Sequence, residues 1–92
     1  MPYQFNPFKT AQVSVGATVG GTLISAANNA RTTITVTMTG TTDVYLGESG
    51  VTTSTGDLLN GVKGVSKTFS TTAAVYGITS SGSVTVSVLE TL

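Results

Sequence analysis

The chain has 92 residues, the length of one small domain, and no cysteine or histidine, so neither disulfides nor the usual zinc ligands supplement its core. Twenty-nine residues are Thr or Ser, against four Lys and Arg and four Asp and Glu that cancel to zero net charge. That charge density is far below the quarter typical of soluble domains, and it excludes phosphate-dominated nucleic-acid binding. It points instead to a surface that meets protein.

In chain order, residues 1–9 come first as an extended arm. Met1 to Phe8 hold both prolines and three of the six aromatic residues. Pro7 fixes its own φ and pushes Asn6 toward an extended conformation. Tyr3, Phe5 and Phe8 either cap one open end of the domain or serve as aromatic anchors on a neighbouring subunit.

Residues 10–92 read as one β-sandwich domain. Val13, Val15, Ala17 and Val19 share a phase and suggest a first alternating strand, followed by a weaker segment at 22–26. From Thr33 to Thr39, Ile34, Val36 and Met38 take one face and four threonines the other, the pattern of a half-buried strand. Shorter candidates follow at 42–47, 58–62, 67–70 and 74–79, and Ser83–Val88 repeats the alternation with Val84, Val86 and Val88 inward. Asn60-Gly61 suits a two-residue turn with positive φ at both centres, and Ser81-Gly82 a last hairpin. About eight short strands with glycine-containing turns, and no helical spacing, predict an all-β antiparallel sandwich. No apolar run approaches a membrane span, and the N-terminus lacks a signal-peptide core.

Chemistry is scarce. Without His or Cys, the triads of nucleophilic hydrolases are not available, which leaves Asp43, Glu48, Asp57 and Glu90. A glycosidase pair among them would need a sugar-sized cleft, and the expectation is that these acids are solvated at turns and strand ends. Asp43, Glu48 and Asp57 flank one hydroxylic loop, 48–56, but lack the spacing of a calcium loop. No catalytic, metal or cofactor site is therefore expected. Tyr45 and Tyr76 are candidates for a ligand platform, because the inward phase of each strand is ambiguous. An inward tyrosine with its hydroxyl at the core edge is the ordinary arrangement, and an outward one would offer an aromatic surface to a sugar.

The outward rows Thr33, Thr35, Thr37 and Thr39, and Ser83, Thr85 and Ser87, lack the lysines that protect solitary sheets from association. Thr42-Asp43-Val44-Tyr45-Leu46-Gly47, Gly50-Val51-Thr52-Thr53-Ser54-Thr55-Gly56, Thr72-Ala73-Ala74-Val75-Tyr76-Gly77-Ile78 and the ending Gly82 to Glu90, with the opening Tyr3-Gln4-Phe5-Asn6-Pro7-Phe8, carry a resemblance. The chain resembles small β-rich virion structural proteins, fibre or spike modules among them, of tailed bacteriophages. The resemblance implies a jelly-roll-like or immunoglobulin-like sandwich on a virion, often trimeric, with no catalytic residues. It places the protein on the particle surface after synthesis in the host cytoplasm. Length favours a capsid decoration or cement protein, bound to copies of itself in a homotrimer and to the major capsid protein or another virion protein. The alternative is a head-fibre or tail receptor-binding module that grips a glycan. Neither role calls for nucleic acid or a membrane as partner.

Overall fold

A computed structural model describes residues 7–92; Tyr3 and Phe5 lie outside them. Eight strands form two antiparallel four-stranded sheets packed face to face. They are β1 (Phe8–Val15), β2 (Thr22–Ser25), β3 (Thr33–Met38), β4 (Val44–Gly47), β5 (Asp57–Leu59), β6 (Ser66–Phe69), β7 (Val75–Ile78) and β8 (Val84–Thr91). The first sheet has the order β1-β8-β3-β6 and the second β2-β7-β4-β5. Strands pair from the chain ends inward: β1 with β8, β2 with β7, β3 with β6 and β4 with β5. The chain is thus one long folded ribbon, and only β4 and β5 are both consecutive and adjacent.

Alternation decides which side chains fill the space between the sheets. Val15, Val86, Val88, Ile34, Val36 and Met38 come from the first sheet and meet Ile24, Val75, Val44, Leu46 and Leu59 from the second. Each such side chain contributes roughly 1.5–3 kcal/mol by leaving water. Gly77 faces the same core, and a Cβ there would come within 2.8 Å of Ile24 Cδ1, so the glycine admits Ile24 over the β7 backbone. A register shift between Leu23 and Ser25 keeps Ile24 in the core while Ser25 also reaches the interior, where it meets Glu90.

Several expectations are corrected. The first strand begins at Phe8 and ends at Val15, because Phe8 and Lys9 pair with Thr91 and Glu90. Both belong to the sandwich and not to an arm spanning 1–9. Ala17 and Val19 lie beyond the strand, with Val19 exposed, since the chain there turns toward the other sheet through Gly20 and Gly21 at φ of 88° and 89°. Asn60-Gly61 does not form the turn expected, because neither residue has positive φ. Gly61 is required for a different reason: a Cβ there would collide with the Thr41 carbonyl, close to where the Gly61 N–H donates to Asp43 Oδ1 at 2.6 Å. Ser81-Gly82 joins β7 to β8 across the two sheets, so it closes no hairpin.

Candidate functional site

Two surfaces and one buried cluster carry the residues of interest. The outer face of the first sheet follows from register. Since Ile34, Val36 and Met38 point inward, Thr33, Thr35 and Thr37 point out, and pairing continues their rows across the sheet. One row runs Thr10, Leu89, Thr35 and Thr68; the next runs Gln12, Ser87, Thr37 and Ser66. Thr35 Oγ1 and Thr68 Oγ1 are 2.8 Å apart, and Thr39 Oγ1 donates to the Thr85 carbonyl. Phe8 lies opposite Thr91 and diagonal to Leu89; these two hydrophobic residues are 68% and 40% exposed, which makes an apolar corner on a hydroxylic sheet. No strand residue on this face is charged, because Lys9, Lys67 and Glu90 occupy inward phases.

The outer face of the second sheet holds the tyrosines. Val44 and Leu46 fill the core, so Tyr45 faces out; Val75 and Gly77 face in, so Tyr76 faces out as well. The ordinary inward arrangement does not occur in either strand. Tyr45 pairs with Ile78 and Tyr76 with Gly47, which makes the two rings diagonal neighbours on one face, with Leu23 and Leu58 beside them. Both tyrosines are half-buried, because the loop from Glu48 to Gly56 folds back over this face.

Val51 anchors that loop. It is 4% exposed although it lies outside the main core. Its methyl groups sit among three glycines: a Cβ would approach Val51 at 2.8 Å from Gly21, 2.8 Å from Gly47 and 2.9 Å from Gly56. Gly50 N–H donates to the Gly20 carbonyl at 3.0 Å, and Thr52 and Thr55 bond each other within the loop. The signal in the sequence is one valine in an otherwise hydroxylic segment, followed by Gly56.

The four acids are not equivalent. Asp43 holds the Gly61 turn, and Asp57 pairs with Lys67 at 2.8 Å between the two sheet edges. Glu90, expected to be solvated, is buried. It accepts from Arg31 Nη1 at 2.7 Å and from Ser25 Oγ at 2.9 Å, with Lys9 Nζ 3.7 Å from its other oxygen. Burial pushes the Glu90 pKa up, but the hydrogen bonds from Arg31 and Ser25 and the charges of Lys9 and Arg31 outweigh it and hold the group below 4.5. Arg31 also donates to the carbonyls of Ala26, Thr71 and Ala73, so one guanidinium ties β2 and the β6–β7 loop to β8. A sequence signal existed here too, since Glu90 continues the inward phase of Val84, Val86 and Val88.

Glu48 differs from the other three. It is exposed, and among the described residues no hydrogen bond or ion pair engages its carboxylate. Among the described residues no three potential metal ligands gather, so Asp43, Glu48 and Asp57 do not form a common site. Nor is any helix there long and apolar enough to cross a membrane. Comparison with known proteins found no significant match to a family model, a curated protein or a solved structure.

Proposed function

We propose that this protein is a non-enzymatic virion structural subunit, a capsid decoration or cement protein that assembles as a homotrimer and binds across capsomer joints. The observation that carries the reading is the uncharged outer face of β1-β8-β3-β6. A four-stranded face of threonine and serine, without the lysines that keep sheets apart, suits burial against protein. Phe8 and Leu89 supply exposed apolar anchors at its corner. An interface of standard size needs only ~800 Å² per partner.

Strand order favours the jelly-roll form of the sandwich over the immunoglobulin form. In the latter the first two strands share a sheet, whereas here β1 and β2 lie in opposite sheets and pairing proceeds from the ends inward. A structural role also agrees with the use of Asp43, Asp57 and Glu90 in turns and ion pairs. The resemblance to tailed-phage virion proteins rests on sequence motifs, with Tyr3, Phe5 and Phe8 as partner anchors.

The test is co-sedimentation with capsids that lack the protein. Wild type should pellet with them, and a chain without residues 2–6 should remain folded and bind less, because β1 begins at Phe8. Equal binding by the truncated chain would remove the arm from the proposal. Failure of the wild type to bind would remove the capsid role.

A further inference from the structure

Two open clefts meet at Glu48. The first, about 540 Å³, is lined by the apolar side chains of Leu46, Phe69 and Val75, of which Phe69 is the most exposed, and by the polar residues Ser70, Thr71 and Glu48. The second, about 530 Å³, is lined by Gly47, Glu48, Ser49, Gly50, Val51 and Thr55. Both volumes fall in the ~300–1,000 Å³ range of small-ligand sites. Glu48 borders both, and it is the acid that no described structural contact employs.

We infer that the paired clefts form a carbohydrate-binding site for a neutral oligosaccharide of at least two rings, with Glu48 accepting hydroxyl hydrogen bonds between the two subsites. The inference is independent of the virion role. Three observations carry it. The Phe69 ring in the lining suits the C–H face of a sugar ring, while a carboxylate, hydroxyls and backbone groups suit its edge. The walls are also held in place before any ligand arrives. Arg31 fixes Thr71 and Ala73 on one side, and the Val51 socket with the Gly50–Gly20 bond fixes the other, so little ordering remains to oppose binding. Finally, Glu48 is the one acid lining the clefts among the described residues, so a cationic ligand meets only the weak attraction of a surface ion pair, and the hydroxyl and backbone groups around it must carry recognition.

This site differs from a Tyr45 and Tyr76 platform. Neither tyrosine lines either cleft. The chemistry stops at binding, because Asp43 and Asp57 are engaged elsewhere and no second carboxylate lines the clefts to complete a hydrolytic pair.

The experiment is an amide chemical-shift titration of the full chain with cellobiose, lactose and N,N′-diacetylchitobiose, and with choline as the cationic arm. At least one disaccharide should shift both 47–51 and 69–75, with a dissociation constant in the ~0.1–10 mM range. Glu48→Gln should weaken that binding about tenfold without altering thermal stability, since the side chain is exposed. Tyr45→Phe should bind as wild type. The inference is overturned if no disaccharide shifts these segments at about 20 mM, if choline alone shifts them, or if Glu48→Gln binds unchanged.

Discussion

Arg31 Nη1 stands 2.7 Å from Glu90 Oε2 between the two sheets, with the side chains 0% and 7% exposed. The pair is satisfied on all sides by Ser25, Lys9 and three carbonyls, so removing one partner leaves the other's buried charge without compensation. Breaking a buried pair from one side costs about 3–5 kcal/mol, whereas replacing both partners with apolar groups is often neutral. Against a total stability of about 5–15 kcal/mol, Glu90→Ala should shift the urea midpoint strongly downward. Arg31→Met combined with Glu90→Leu should recover only part of that loss, because the carbonyls of Ala26, Thr71 and Ala73 then lack their donor, and equal losses in the single and double variants would contradict the assignment.

The same pair sets an acid limb. Glu90 has a folded-state pKa below its ordinary 4.5, so the unfolded chain binds the proton more tightly. The stabilisation is therefore fully present above pH 4.5 and is lost as pH falls through the lower folded-state value. Unfolding free energies measured from pH 7 down to pH 3 should fall in that window for wild type, and Glu90→Gln should flatten the fall. An unchanged limb in the variant would assign the acid sensitivity to other groups.

Neighbouring glycines should respond differently to alanine. Gly20 and Gly21 share positive φ, but Gly20 has open space around it while Gly21 faces Val51 and the Tyr76 Cβ. Gly20→Ala should cost about 1–2 kcal/mol from backbone conformation alone. Gly21→Ala should cost more by roughly 1–3 kcal/mol, because it also expels Val51. Thermal melts of the two variants measure the difference, and equal melting temperatures would show that Val51 does not depend on this socket.

Much of the framework was legible in sequence because alternation reports burial directly. Ile34, Val36 and Met38, and Val86 and Val88, fall where period two puts them. Tyr45 and Tyr76 were not legible, because short strands with apolar residues in both phases leave the choice to tertiary packing. The loop anchored by Val51 covers the outer face on which both tyrosines sit. The burial of Glu90 is not legible in the sequence from its inward phase alone, because its partner, Arg31, is 59 residues away. Glu48 is among the candidate acids, but the first cleft beside it arises from segments brought together by the β4, β6 and β7 ends, and only the second is lined by one local stretch, 47–55.

The neutral sheet face makes a prediction that separates association from folding. Thr35→Lys places a charge at the centre of that face, on a half-buried, outward-pointing position of β3 whose hydroxyl bonds only Thr68 among the described residues. Such a change should leave stability within about 1 kcal/mol of wild type, as surface substitutions usually do. Binding to capsids should fall by at least tenfold.

The shared-surface reading meets its most direct test in the solution mass by light scattering, for wild type and Thr35→Lys side by side. Wild type should have three times the 9.3 kDa mass of one chain, and the variant should have the mass of a single folded chain. A wild type that remains at 9.3 kDa across the accessible concentration range would contradict a surface built to be shared.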